Sequence, residues 1–288
     1  MDFHPVEENL RQSFRALATG RERASLLELP GVTIASLGVR FQMFNAAFLS
    51  GPVEGPAALE ARLQSASDHF REKGRAWSMW VCEDWLSWTA RLRLSKICGT
   101  FGLRLAAELP GMVAGELPLP FAAPPRLEIR RLTTEADLQI FRTIGSLCFR
   151  VPPHWFAEVF NPGVIPSRDF ECWLAFQDGE PVATAATVPF GNAIGLYNIA
   201  TIPSHRGKGI AEAVTRHIAQ DARLRYGNLP LVLQATSMGL AVYERLGFRQ
   251  VTRIMAWVSC AVPANIKLDA ASPNSFVSGR SARLAPLG

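Results

Sequence analysis

The sequence predicts an α/β protein built on a mixed β-sheet. Short apolar, β-branched segments alternate with amphipathic helical segments along most of the 288 residues. A basic turn that contains glycine joins one such strand to one such helix at residues 205–211. Hydrophobic residues make up 48% of the chain, which is enough to fill a large core. The length suits two domains of ordinary size.

The first 120 residues show this alternation with weak motifs. The polar residues 1–25 are expected to begin with a helix. Phe101-Gly-Leu-Arg104, between a helix and a strand, repeats the order of Leu246-Gly-Phe-Arg249 in the second half. The predicted elements are strands at 32–37 and 43–49, a helix at 57–73 and a strand at 76–81.

The second half fits one complete set of strands and helices. Thr133 or Thr134 is expected to cap its first helix, and Thr236 or Ser237 its last. Gly247 is expected to end that last helix as its C′ residue. The predicted strands are 128–132, 170–176, 181–188, 196–202, 231–236 and 248–257, and the predicted helices are one after Thr134, 151–160, one from Ile210, and 237–246.

A proline-rich stretch separates the two halves. It contains Pro118, Pro120, Pro124 and Pro125, which predict a linker. The predicted organisation is a first domain at 1–120, a linker at 121–126, a second domain at 127–262 and an irregular tail at 263–288. The first domain is either a degenerate copy of the second or an unrelated α+β domain.

The turn between strand and helix has the composition of an anion-binding site. Gly207 and Gly209 let the backbone approach phosphate oxygens, because neither carries a Cβ. Arg206 and Lys208 add positive charge. The helix that follows directs free N–H groups and the positive end of its dipole at the same point. The turn therefore predicts a pyrophosphate site.

Two known phosphate motifs do not fit this turn. A P-loop requires a longer loop and a hydroxyl for the metal, and the dinucleotide fingerprint requires a third glycine. Arg206, Gly209 and Ala211 match Arg/Gln-x-x-Gly-x-Gly/Ala, the acyl-CoA signature of the GCN5-related N-acetyltransferase (GNAT) family. Residues 235–248 resemble the Tyr-Glu-x-x-Gly-Phe segment of that family. The resemblance implies a GNAT acyl-CoA N-acyltransferase fold, in two tandem copies if the first half is a degenerate one.

The resemblance also implies a reaction and a set of site residues. An acetyl group would pass directly from acetyl-CoA to the amine of a small molecule or a peptide, without a metal. Tyr243 would be the catalytic acid that protonates the departing thiolate; the alternative is that it is a packing residue. The implied cofactor-binding residues are Ile199, Ala200, Thr201, Ile202, Arg206, Gly207, Lys208, Gly209, Ile210 and Ala211. A longer acyl group, or a protein that binds acyl-CoA without turnover as a sensor or scaffold, is an alternative.

The sequence does not identify a general base. Many relatives carry a glutamate on the central strand, where this chain has Tyr197 and Asn198. Glu171, Glu158 and His154 lie in segments that border the expected groove, and each also fits a surface or packing role. A chain of water molecules, or an amine that is already partly neutral, would remove the need for a base.

Composition argues against several other classes of function. The 30 basic and 25 acidic residues are scattered, so neither nucleic acid nor a membrane is an expected partner. The five cysteines and five histidines lack metal-ligand spacing, and the chain is expected to be cytoplasmic. Residues 181–204 carry no charge, but Pro189-Phe-Gly-Asn192 interrupts them with turn residues. The acceptor and the oligomeric state are not predicted.

Overall fold

The computed structural model describes residues 2–121, 123–165 and 167–259, so the tail predicted at 263–288 lies outside the described residues. The helices are α1 (His4–Ala18), α2 (Pro56–Glu72), α3 (Trp88–Thr100), α4 (Glu135–Phe149), α5 (Pro153–Val159), α6 (Ile210–Tyr226) and α7 (Leu240–Arg245). The strands are β1 (Ser25–Leu29), β2 (Val32–Ser36), β3 (Asn45–Leu49), β4 (Ser78–Cys82), β5 (Leu103–Ala114), β6 (Glu128–Arg131), β7 (Glu171–Gln177), β8 (Glu180–Phe190), β9 (Ala193–Thr201), β10 (Leu231–Gln234) and β11 (Arg249–Ser259).

The predicted elements are present, with small shifts at their ends. Thr134 is the N-cap of α4 and forms a capping box with Asp137. Helix α7 begins three residues later than expected, because the Thr236 hydroxyl accepts from the Gly239 N–H and residues 236–239 form a turn. Gly247 has a φ of 85° after α7, as its predicted C′ role requires.

One 11-stranded mixed sheet contains every strand of the described residues. Their order is β1-β2-β3-β4-β11-β5-β10-β9-β8-β7-β6. The pairs β3–β4 and β9–β10 are parallel, and the other neighbouring pairs are antiparallel. The predicted α/β class with a mixed sheet is therefore confirmed.

The two halves of the chain exchange strands at the centre of this sheet. Strand β5, from the first half, lies between β10 and β11, and Ala114 pairs with Leu231 of β10. Strand β11, from the second half, lies between β4 and β5, and Ile254 pairs with Cys82 of β4. The boundary predicted near residue 120 divides the chain but does not divide the sheet.

The halves also repeat one order of elements. In each, a strand, a long helix, a parallel strand, a second helix and a third strand follow one another: β3–α2–β4–α3–β5 and β9–α6–β10–α7–β11. The third strand runs in the same direction as the second and is separated from it by one strand of the other half. This shared order supports the prediction of two tandem copies over that of an unrelated first domain.

Helices cover both faces of the sheet. Helices α2, α3, α6 and α7 pack on one face, and α1, α4 and α5 pack on the other. Helix α1 lies over the middle of the sheet, where Val6 contacts Ala193 and Val232, and Phe14 contacts Phe48. The N-terminal segment is thus part of the core, a role that its polar composition did not indicate.

Candidate active site

The two parallel strands of the second half separate along their length. Strands β9 and β10 pair only at Ile194 with Leu231 and at Gly195 with Val232. Beyond this point β10 remains paired with β5, and β9 continues along β8 as far as Thr201. A gap therefore opens between the carboxyl ends of β9 and β10.

A β-bulge in β9 lies beside this gap. Ala186 pairs with Tyr197 and Thr184 with Ala200, so two residues of β9 lie opposite one residue of β8. One of the two, Asn198, has a φ of 49°. The Thr184 hydroxyl donates to the Asn198 carbonyl over 2.8 Å and fixes the bulge.

The bulge reverses the direction in which backbone amides point. The Ile194 N–H donates to Pro230 on the β10 side, whereas the Ile202 N–H donates to Val182 of β8. In a regular strand these two amides would point the same way, since they are an even number of residues apart. Beyond the bulge, the Thr201 N–H consequently points into the gap. The Thr201 hydroxyl oxygen is also buried, with no hydrogen-bond partner among the described residues.

The glycine turn lies at the open end of the gap. Gly207 and Gly209 both have a φ of 75°, a left-handed conformation that favours glycine. A Cβ at Gly207 would meet nothing within 4 Å, so its surface is open to a ligand. The Arg206 Nε donates to the Thr201 carbonyl over 3.0 Å and ties the turn to the end of β9.

The amides of this turn are free to bind a ligand. Across the described residues, no backbone or side-chain acceptor meets the N–H groups of residues 207–211. Lys208 is exposed and adds a positive charge to the N-terminus of α6. Free amides, a helix dipole and a cation together form a binding site for an anion such as pyrophosphate.

Tyr243 lies in the core on the same side of the sheet as the turn. It belongs to the apolar cluster that Ile199 and Ile202 also contact, and its ring packs on Phe248 with centroids 5.7 Å apart. Burial raises the pKa of the Tyr243 phenol above its ordinary value, so the hydroxyl stays protonated. Its surroundings suit both a packing residue and an acid.

Residues 168–250 match the family model described as an acetyltransferase (GNAT) domain. The chain carries a GNAT domain. Solved GNAT structures also share the fold of nearly the whole chain. A GCN5-related N-acetyltransferase from Kribbella flavida has a TM-score of 0.66 at 17% identity, over 89% of this chain and 96% of its own. One from Sphaerobacter thermophilus has a TM-score of 0.55 at 16% identity, over 83% and 80%.

A third similar structure is described as a functionally unknown conserved protein from Staphylococcus epidermidis ATCC 12228. It has a TM-score of 0.63 at 11% identity, over 82% of this chain and 94% of its own. A search of curated protein sequences gave no significant match. The resemblance to the GNAT family and the GNAT fold expected from it are confirmed.

The tyrosine on the central strand of the GNAT domain is held by helix α1. The Tyr197 hydroxyl donates to Asn9 Oδ1 over 2.8 Å, and the Asn9 amide donates to the Val188 carbonyl over 3.0 Å. Burial raises the pKa of the Tyr197 phenol, which keeps its proton. Tyr197 therefore does not replace a basic glutamate. Asn9 interrupts the apolar face of α1, and this was the one sequence signal of the contact.

The carboxylates considered as bases are engaged elsewhere. Glu171 is buried and forms a bidentate ion pair with Arg225, with both distances 2.6 Å. Glu158 accepts from the Arg40 backbone N–H at 2.9 Å and from its guanidinium at 2.5 Å. His154 is exposed on α5. The two ion pairs account for Glu171 and Glu158 without a catalytic role.

The first half closes the corresponding gap. Val53 forms a parallel bridge with Leu86 beyond the paired strands β3 and β4, and its N–H donates to Trp85. The Arg62 guanidinium donates there to the carbonyls of Gly51 and Pro52. This loop presents carbonyl groups to a cation, where the GNAT domain presents amides to an anion.

Two further absences concern the described residues only. No group of three or more His, Cys, Asp or Glu residues in ranges 2–121, 123–165 and 167–259 is placed to hold a metal ion. No helix within the same ranges is long and apolar enough to cross a membrane.

Proposed function

We propose that this protein is an acetyl-CoA-dependent N-acetyltransferase that transfers the acetyl group directly to an amine of a small molecule or a peptide. The observation that carries the proposal is the set of unpaired amides at residues 207–211, placed at the mouth of the gap between β9 and β10. The fold by itself hosts more than one chemistry, so the site carries the argument.

The described residues fit an acyl-CoA in an extended position. Residues 206–211 would bind the pyrophosphate through free amides and positive charge. Residues 199–202 would line the pantetheine chain along the unpaired edge of β9. Thr201 gives this edge two polar groups, its backbone N–H and a hydroxyl that has no partner among the described residues. These groups would bind the amides and the thioester carbonyl of the cofactor.

The reaction then needs one bond made and one broken. The nitrogen of a neutral amine attacks the thioester carbon, and the C–S bond breaks. An N–H of the β9 edge stabilises the negative charge that develops on the carbonyl oxygen. Tyr243 gives its proton to the departing thiolate and regains one that the amine releases through water. The products are an amide and free CoA, whose thiol carries the proton that Tyr243 donated.

The first experiment measures the thermal unfolding temperature with acetyl-CoA, free CoA, ATP and NAD. We expect the two CoA species to raise this temperature selectively, because they bind only the folded protein. Gly209→Glu should abolish the shift by placing a negative charge and a Cβ in the turn. Gly179→Glu is the matched control, since Gly179 has a φ of 83° and lies in the exposed hairpin between β7 and β8. No shift with either CoA species would refute the proposal.

A catalytically silent acyl-CoA sensor is the second candidate. The closed gap of the first half favours it, because a degenerate first copy would show that this architecture tolerates loss of the site. Turnover separates the two functions. Free thiol release from acetyl-CoA, measured with a panel of amines, should exceed the rate without amine for a transferase. Tight binding of acetyl-CoA without thiol release for any amine would identify a sensor.

A further inference from the structure

The segment that joins the halves runs along the proposed cofactor site. We call residues 115–121 and 123–126 the proline strap. The strap follows the outer side of α6 from its C-terminal to its N-terminal end: Arg223 donates to the Gly115 carbonyl, Arg216 donates to the Pro118 carbonyl, and Pro125 lies against Gly209.

The strap also touches the second motif of the site. A Cβ at Gly247, after α7, would lie 3.1 Å from Pro118 Cδ. At the other end, a Cβ at Gly209 would lie 3.7 Å from Pro125 Cδ. The two prolines therefore contact both turns that carry the GNAT motifs.

Two large apolar side chains of the strap are exposed to solvent. Leu119 is 88% exposed, and Phe121, four residues before the proline that lies against the phosphate turn, is 91% exposed. Apolar residues this exposed bury little of their surface in the fold that the structure describes.

The direction of the cofactor accounts for these exposed groups. An acyl-CoA whose acyl end enters the gap between β9 and β10 must leave the turn on its outer side, where the nucleotide end would lie. The strap is the element that follows the turn on this side. Arg126, beside Pro125, is exposed and forms no ion pair within the described ranges.

We propose that the proline strap binds the nucleotide end of the acyl-CoA, with Phe121 stacked on the adenine and Arg126 paired with the 3′-phosphate. The inference rests on the proposed function and adds a binding surface that the first motif does not contain. An aromatic ring stacks on the flat face of a nucleobase, and an exposed arginine adds a charge-dependent contribution to the binding of a phosphate.

The test is the affinity of the full chain for CoA, dephospho-CoA and 4′-phosphopantetheine, measured by calorimetry. Phe121→Ala should weaken CoA binding by about five- to a hundredfold, the range of base–aromatic stacking, and leave 4′-phosphopantetheine binding unchanged. Phe121→Trp should retain the affinity. Arg126→Gln should weaken CoA binding by about two- to fivefold and leave dephospho-CoA binding unchanged. Leu224→Ala is the control, because Leu224 is also a highly exposed apolar residue, at 81%, and lies at the other end of α6.

The outcomes separate this inference from the proposed function. If the wild-type chain binds CoA and Phe121→Ala binds it equally well, the strap is not a nucleotide site, while the proposed function stands. Equal wild-type affinities for CoA and 4′-phosphopantetheine would overturn the strap proposal in the same way. If the wild-type chain binds none of the three ligands, both proposals fail.

Discussion

Close approach of helix α1 to the central strand depends on a single missing side chain. A Cβ at Gly195 would lie 1.9 Å from Asn9 Oδ1 and 2.4 Å from Tyr197 Cε2. Glycine at this position therefore permits the hydrogen bond between Tyr197 and Asn9, next to the point where β9 and β10 separate. Gly195 therefore both allows α1 to pack closely on β9 and lies where the gap begins.

We expect Gly195→Ala to lower the free energy of unfolding by about 1–3 kcal/mol, the usual cost of overpacking a core. Urea denaturation measures the change. Gly99→Ala in α3 is the contrasting variant: its Cβ meets nothing within 4 Å, so it should stabilise the protein by up to ~1 kcal/mol. A Gly195→Ala protein as stable as wild type would mean that α1 is not held closely against β9.

We expect Tyr243→Phe to lower kcat about a hundredfold or more, with CoA affinity nearly unchanged, because the ring still packs while the proton is lost. Burial raises the pKa of Tyr243 above the ordinary value of about 10, so the wild-type rate should not fall through titration of this phenol below that pH. Steady-state kinetics across pH 7–10 test both statements. Wild-type kcat in Tyr243→Phe would leave Tyr243 with a packing role alone.

At the scale of elements, one carboxylate joins a strand to a helix. Asp137 in the first turn of α4 accepts from Arg130 of β6 at 2.7 Å and from the Thr133 and Thr134 N–H groups at 3.0 and 3.1 Å. The Thr134 hydroxyl accepts in return from the Asp137 N–H. The Arg130 hydrogen bond, with these amides, holds the pKa of Asp137 well below its usual range.

This depressed pKa predicts a loss of stability in acid. The unfolded carboxyl has a pKa of about 3.9, so the contribution of Asp137 is complete above that pH and declines as the pH falls toward the lower folded value. We expect Asp137→Asn to be less stable than wild type at pH 7 and the difference to shrink below about pH 4. Urea denaturation at pH 7, 4 and 3 measures it. A difference that is constant over this range would contradict the linkage.

The same helix shows which elements a sequence can predict. Thr134 and Asp137 have cap spacing and precede an apolar stripe, so the start of α4 follows from neighbouring residues. Strand β1 does not follow from its own residues, since Ser25–Leu29 has no alternating pattern and, within the described residues, forms an edge that pairs with β2 alone. Its formation depends on its partner strand more than on its own residues.

At the scale of the whole molecule, the exchanged strands make the two halves interdependent. Without β5, which the first half supplies, β10 and β11 of the second half would have unpaired edges in the middle of the sheet. Without β11, which the second half supplies, β4 of the first half would have an unpaired edge. Such long open edges favour association with other chains.

We expect residues 121–288 expressed alone to be insoluble or aggregated, and residues 1–120 likewise, because each lacks a central strand. Co-expression of the two fragments should yield a soluble complex that co-purifies and has the circular dichroism spectrum of the intact chain. The control is the folded intact chain cleaved at the boundary between the two fragments, which should give the same complex. Two soluble, monomeric fragments with separate unfolding transitions would contradict the role of the exchange.

The sequence by itself determined the α/β class, most elements, and the turn at residues 206–211, because caps, glycine conformations and helix dipoles act between near neighbours. It did not determine that β5 and β11 change places or that Asn9 reaches Tyr197, 188 positions away. Apolar strands carry similar patterns, so their residues do not specify a neighbour. Only packing against both faces of the sheet decided the strand order, the width of the gap and the surroundings of Tyr243.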